Sequence, residues 1–226
     1  MSNMAEISQL TEMSVQLPVD WYLDSKILEI EKHILFDQGP GYIGHELMVP
    51  TVGDYYVPEG MNNAKVLVRN ENGIELLSNV CRHRQALLLK GRSNTKNIVC
   101  PIHRWTYALD GKLLGAPHFT QNPCLNLDKT PLQNWNGLLF NGRRKVVQDM
   151  AKLSVLKDFD FSNYMLDRIQ VDQYRCNWKT FVEVYLEDYH VEPYHPGLSR
   201  FVNTDKLEWE FGDWYSVQTV PIDNTR

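Results

Sequence analysis

The sequence predicts an α+β fold, a run of short antiparallel strands with helical segments before and after it. Three observations carry this. Between Tyr42 and Gly142, apolar residues alternate over short stretches separated by turn dipeptides, the pattern of half-buried antiparallel strands. Residues 18–35 and 177–192 instead space their apolar side chains at helical intervals,. No repeat or low-complexity linker interrupts the 226 residues, a length that buries one sizeable core or two small ones.

Taken in order, residues 1–17 are polar and expected to be loose. Pro18-Val19-Asp20 opens a packing helix whose apolar positions are Trp21, Tyr22, Ile27, Leu28, Ile30, Ile34 and Leu35, and Gly39-Pro40-Gly41 stops it,. Strands are expected at His45–Val49, Asp54–Val57 and Lys65–Val68. Asn72-Gly73 then turns the chain into Ile74–Leu77 as a hairpin,. A second tight turn, Asp110-Gly111, follows Tyr107, and a last strand runs through Gly137–Gly142. The β pattern gives way to mixed, charged sequence around residues 144–160. A strand over Arg168–Arg175 then leads to Asn177, a good N-cap for a helix that Pro193 brings to an end. The expected division is one β domain over 41–148, with 1–40 and 149–226 belonging together.

Chemistry concentrates in two places. The first is Cys81-Arg82-His83 and, after sixteen intervening residues, Cys100-Pro101-Ile102-His103. Each loop offers one thiolate and one imidazole, and both follow hairpins or lead into them. A structural zinc site takes two cysteines and two histidines, but usually pairs cysteine with cysteine and histidine with histidine. In a Rieske [2Fe–2S] centre two histidines replace two cysteines on one iron, and mixed loops suit that division because each sends its Cys to one iron and its His to the other.

The second is the helical segment after Asn177. A helical wheel places Val182, Tyr185 and Tyr189 within about 40° of Trp178 as a buried stripe. Glu183, Glu187 and His190 fall on the opposite side. A solvated face is the ordinary meaning of such a pattern. His195, two residues beyond Pro193, changes it, since a turn there folds a second imidazole towards His190. Two histidines plus one carboxylate, with open positions left, form the facial triad of non-haem Fe(II) oxygenases.

Together, Cys81-Arg-His83-Arg, Cys100-Pro-Ile-His103-Arg-Trp105-Thr-Tyr107 and Asn177-Trp178-Lys179 followed by Glu187, Tyr189-His190 and His195 resemble the large (alpha) subunit of Rieske non-haem iron ring-hydroxylating oxygenases. The resemblance runs from about Pro18 to the end. It implies an antiparallel β Rieske domain joined to the first part of an α+β, helix-grip-like catalytic domain. Cys81, His83, Cys100 and His103 would hold a [2Fe–2S] cluster, and His190 and His195 a mononuclear Fe(II). Electrons would come from NAD(P)H through a separate reductase or ferredoxin and cross between subunits of a homotrimer or larger oligomer. Glu187, three residues before His190, would bridge the two centres, and Asp188, about 140° away on the wheel, reads as a surface acid. The iron would activate O2 to hydroxylate a small organic, typically aromatic, substrate. The cluster loops lack the extra cysteines of respiratory Rieske proteins, which implies the lower-potential branch. Gln85 and Arg104 stand where the family usually has Gly, and Val184 where many relatives have Asn. The family's third iron ligand is a carboxylate further downstream, so the resemblance implies a chain truncated at its C-terminus. Glu208, Glu210, Asp213 and Asp223 lack that ligand's context. Tyr185, Leu186, Phe201 and Trp209 are candidate pocket residues. A Rieske ferredoxin-like electron carrier is the alternative, and it has no need of the His pair.

Composition bounds the rest. Apolar content of 43%, charged content of 23% and a net charge of −5 are those of a globular protein without the basic footprint of a nucleic-acid binder,. No apolar run is long enough for a membrane helix and no signal-peptide pattern opens the chain, so a cytoplasmic location is expected. In a reducing compartment Cys124 and Cys176 are expected to be free thiols packed as small apolar residues.

Overall fold

The computed structural model describes residues 17–203 and 206–222. The expectations for residues 1–16 and for Asp223 lie outside the described residues. The chain forms two compact units. One comprises residues 36–172 with 212–215, and the other joins the N-terminal residues to 173–211 and 216–226.

The discontinuous unit opens with two short helices, α1 (Asp20–Leu23) and α2 (Ser25–Glu31). The single expected helix is broken at Asp24, whose extended backbone (ψ 116°) ends α1 and whose side chain caps α2 by accepting from Lys26 N–H at 2.8 Å,. Its apolar residues form only part of the expected packing face, because Tyr22, Ile27 and Leu28 are half-buried, Trp21, Ile30, Ile34 and Leu35 are exposed, and the buried residue is Glu31.

The other unit is built mainly of short strands. β1 (Gly41–His45) runs through the residues before the expected strand, since His45 caps a 3-10 turn at Glu46–Met48 by accepting from Leu47 N–H. β2 (Asp54–Tyr56), β3 (Lys65–Asn70) and β4 (Gly73–Ser78) lie close to where the alternation puts them. In the β3–β4 hairpin Asn70 pairs with Gly73, so Glu71 and Asn72 form the two-residue loop and Gly73 (φ 138°) opens the return strand. β5 (Arg92–Asn94), β6 (Ile98–Val99), β7 (Thr106–Tyr107), β8 (Leu113–Gly115), β9 (Lys129–Thr130), β10 (Gln133–Trp135) and β11 (Leu138–Asn141) complete the set, followed by a helical turn α3 (Val146–Asp149). They make a five-stranded sheet β5-β2-β3-β4-β9 and two three-stranded sheets, β6-β7-β8 and β1-β11-β10. Every pairing is antiparallel.

Two apolar cores fill this unit. One gathers Ile43, Val49, Tyr56, Leu67, Leu76 and Leu139. The other packs Val66, Val68, Leu77, Ile98 and Leu113 against Cys81, Cys100, Trp105 and Tyr107. The two motif cysteines are thus core residues, anchored to the sheets that carry their loops.

Back in the discontinuous unit, α4 (Trp178–Glu183) is capped by Asn177, which accepts from Lys179 N–H at 3.0 Å. It stops at Glu183, far short of the expected length. Val182 and Val184 are β-branched and poor helix formers, and Tyr185 and Leu186 close turns instead. The expected buried stripe is therefore absent: Tyr189 is 85% exposed, with Val182 and Tyr185 also exposed. The buried side chain of α4 is Lys179. α5 (Val191–Tyr194) follows, then an antiparallel pair β12 (Glu208–Phe211) and β13 (Ser216–Thr219). Residues 168–175, expected as a strand, pair with nothing among the described residues and are mostly exposed. Among the described residues no helix is long and apolar enough to cross a membrane.

Candidate metal centres

The two cysteine loops are built to one plan. Cys81 N–H donates to Ala86 C=O at 2.9 Å and Gln85 N–H to Cys81 C=O at 3.0 Å. Cys100 N–H donates to Trp105 C=O at 2.8 Å and Arg104 N–H to Cys100 C=O at 3.1 Å. The fourth residue after each cysteine must turn into the left-handed region, and Gln85 (φ 56°) and Arg104 (φ 60°) both do so. This explains why glycine is the usual residue there. These side chains are both exposed, so they hold the turn without entering the core.

The closed loops bring the two imidazoles together and leave both cysteines in one core. Both thiols are buried. The imidazoles of His83 and His103 meet edge to face with centroids 4.6 Å apart, nearer the surface, where His103 is exposed. The Trp105 indole stacks on the His83 ring at 5.0 Å and 6°. His83 Nδ1 is buried and has no hydrogen-bond partner, an orphaned lone pair that metal ligation would satisfy. Burial, with the neighbouring His103 and Arg84, pushes the His83 imidazole below its usual pKa, favouring the neutral form that binds metal. Among the described residues no three His, Cys, Asp or Glu side chains group so that they could hold one metal ion. A zinc site would gather all four donors on one point, whereas a [2Fe–2S] cluster takes them two by two.

Two side chains fix this frame. The Tyr107 hydroxyl lies 3.4 Å from Cys81 Sγ and accepts from Arg82 N–H at 3.1 Å. Burial first, and then the hydrogen bond to Cys81, push its pKa well above the ordinary tyrosine value, so it stays a hydroxyl that could donate to a metal-bound Cys81. Asn79, fully buried, accepts from Leu89 N–H and donates to the carbonyls of Leu89 and Asn63, all at 2.9 Å. It clips the two ends of the first loop together. Sequence reasoning passed over Asn79, which lies just past the end of β4 and finds its side-chain partners at residues 63 and 89.

In the discontinuous unit, His190 and His195 face each other edge to face, centroids 5.4 Å apart. α5 does this by placing one histidine just before it and the other just after it. Glu187 lies beside them: its carboxylate is 2.5 Å from His190 Nδ1 and also accepts from His190 N–H at 3.3 Å. Burial acts to raise the Glu187 pKa, but these bonds outweigh it and hold the carboxyl below its usual range. With Nδ1 engaged, the other ring nitrogen of His190 is left for a ligand.

These residues line a cavity of about 270 Å³ that also takes in Tyr185, Asp188, Leu198 and Gln218. Of the expected pocket residues only Tyr185 is there; Leu186, Phe201 and Trp209 are not. Asp188, expected as a surface acid, lines the cavity with Glu187. The wheel misplaced it because α4 had already ended at Glu183. Glu208, Glu210 and Asp213 do not line the cavity.

Behind the histidine segment, Lys179 Nζ donates to both Glu31 carboxylate oxygens at 2.7 and 2.8 Å, with side-chain exposures of 7% and 11%. Trp178 Nε1–H adds a bond to Glu31 at 2.9 Å, Asn177 donates to Tyr22 C=O at 3.0 Å, and the Tyr22 hydroxyl bonds Glu183. The two remaining cysteines, Cys124 and Cys176, are free but exposed, not packed inside.

Comparison with known proteins agrees with this reading. Residues 43–135 match the Rieske [2Fe-2S] domain, and residues 154–224 match the ring hydroxylating alpha subunit (catalytic domain). The chain is 60% identical over 222 residues to a putrescine 2-hydroxylase of Ralstonia nicotianae, covering 98% of this chain and 61% of that protein. It is 29% identical over 214 residues to the carnitine monooxygenase oxygenase subunit of Escherichia coli strain K12, covering 88% and 57%. The chain thus spans about three fifths of the length of these relatives. Among solved structures, a quaternary ammonium Rieske monooxygenase shares the fold with a TM-score of 0.80 at 23% identity, covering 92% of this chain and 62% of that one. Naphthalene 1,2-dioxygenase from Rhodococcus sp. does so with 0.73 at 20% identity, covering 96% and 56%. With mirrored cysteine–histidine loops in one unit and a histidine pair in the other, the chain belongs to the Rieske oxygenases of the ring-hydroxylating alpha-subunit family.

Proposed function

We propose that the chain is the oxygenase component of a Rieske non-haem iron system that hydroxylates a small aliphatic amine. Cys81 and Cys100 hold one iron of a [2Fe–2S] cluster and His83 and His103 the other; His190 and His195 hold a mononuclear Fe(II). When bound, these groups supply one-electron transfer and dioxygen chemistry. One oxygen atom enters a substrate C–H bond and the other leaves as water, with two electrons drawn from a reductase or ferredoxin.

The chain's own residues arrange that chemistry. Tyr107 donates to the Cys81 thiolate, Trp105 braces His83, and His103 presents an exposed edge through which an electron donor reaches the cluster. Glu187 orients His190 through Nδ1, and its remaining lone pairs accept from a cluster histidine of a neighbouring copy, making an electron route between subunits.

The observation that carries the oxygenase reading over an electron carrier is the facing His190–His195 pair with Glu187 on His190 Nδ1, because a carrier needs no second metal site. The amine, in place of the aromatic substrate expected from the sequence, is supported by 60% identity to a putrescine 2-hydroxylase. The test is iron and acid-labile sulfide per chain after anaerobic purification, followed by turnover of short diamines under labelled dioxygen. About three irons and two sulfides per chain and a product carrying one labelled oxygen are expected. A protein with the cluster alone and no product would make it an electron carrier.

A further inference from the structure

Resting on the amine-hydroxylase reading, we propose that Asp188 is the residue that selects a cationic substrate, its carboxylate receiving the ammonium group of a short aliphatic amine in the cavity of the histidine pair. Asp188 lines that cavity together with His190 and His195. The other carboxylate there, Glu187, is engaged through both oxygens by His190. Asp188 uses only its backbone, accepting from Val191 N–H at 3.0 Å, and no side chain among the described residues donates to its carboxylate. Among the described residues no Lys or Arg lines the cavity.

The remaining wall is largely aliphatic, with Val184, Val191, Leu198, Val202 and Val220 among its residues. At about 270 Å³ the space lies near the lower end of ligand pockets, which suits a short methylene chain. A carboxylate that no side chain engages is free to take a ligand ammonium through a charge-assisted hydrogen bond. A single charged anchor beside the His pair also fixes which carbon of the chain faces the iron, since the distance from ammonium to reacting C–H is set by the number of methylenes between them.

The test is oxygen uptake and product formation by the holoprotein with a short diamine, for the wild type, Asp188→Asn and Asp188→Glu. Iron content and the cluster spectrum are checked in each. Asp188→Asn is expected to raise KM about tenfold to a hundredfold, the loss of one charged hydrogen bond, with a much smaller fall in kcat; Asp188→Glu recovers part of it. An unchanged KM in an Asp188→Asn protein that keeps its iron overturns the assignment and leaves the amine-hydroxylase reading intact. If the wild type turns over no amine, both fall together. Should Asp188→Asn lose its iron, competition on the wild type decides: butylamine must inhibit diamine turnover and 1-butanol must not, and equal inhibition by the two overturns the role of the carboxylate.

Discussion

Tyr107→Phe isolates one hydrogen bond to a proposed cluster ligand, that between the buried hydroxyl and Cys81 Sγ at 3.4 Å. The ring is fully buried in the core that holds both cysteines, so phenylalanine keeps the packing and removes only the oxygen. Reduction adds negative charge to the cluster, so a hydroxyl donor to its thiolate stabilises the reduced form more than the oxidised one. A net hydrogen bond contributes about 0.5–1.5 kcal/mol. If that contribution is realised mainly in the reduced state, it corresponds to a potential about 20–60 mV lower in the variant, since 59 mV is a tenfold change for one electron. A redox titration followed by the visible spectrum of the cluster measures this directly. Arg82 N–H also loses its acceptor, so the melting temperature falls as well. An unchanged or higher potential would refute the donor role of Tyr107.

Three further outcomes are expected. Gln85→Gly and Arg104→Gly each remove a left-handed non-glycine residue and should stabilise the apo chain by up to about 1 kcal/mol, seen as a rise of a few degrees in thermal melts. Asn79→Ala leaves Leu89 N–H and two carbonyls without their partner, costing about 1–3 kcal/mol, and cluster occupancy by absorbance should fall with it. The Glu31 carboxyl is held below its ordinary pKa by the hydrogen bond from Lys179 and then that from Trp178, against the opposing effect of burial. A depressed folded-state pKa contributes stability that is fully present above the unfolded value and is lost as pH falls through the folded one. Acid unfolding curves of wild type and Glu31→Gln should therefore differ most at neutral pH and converge towards strongly acid pH. A constant gap across that range would show that Glu31 does not titrate as argued.

The cluster loops were legible in the sequence because both their chemistry and their scaffold are local. Two residues per loop name the donors, and the flanking alternation names the strands, so most of the sheet between Tyr42 and Gly142 could be read from period and turn residues. In the histidine segment the sequence anticipated that His190 and His195 come together but not the structure that brings them there. A wheel extended through His190 assumes a helix that stops at Glu183, and every face assigned beyond that point inherits the error; Asp188 is the clearest case. Burial of Glu31 with Lys179 was invisible for a different reason. Each alone reads as a solvated charge, and only a contact across 148 positions makes them a pair. The same limit hid Asn79, whose partners at Asn63 and Leu89 lie on either side of it in the chain.

The discontinuity of the unit that carries the histidine pair sets an order of assembly. The cysteine-loop unit is continuous but for residues 212–215, so nearly all of it emerges from the ribosome before Lys179 exists. Until then α2 holds Glu31 with no cation to meet it. Joining them closes a loop of well over a hundred residues, an entropic cost that rises only logarithmically with length but becomes smaller still if the intervening unit has already folded and brought its ends closer. Synthesis from the N-terminus favours that sequence. A lesion that stalls folding of the cysteine-loop unit should therefore also delay the meeting of Glu31 with Lys179, a pair made entirely of other residues.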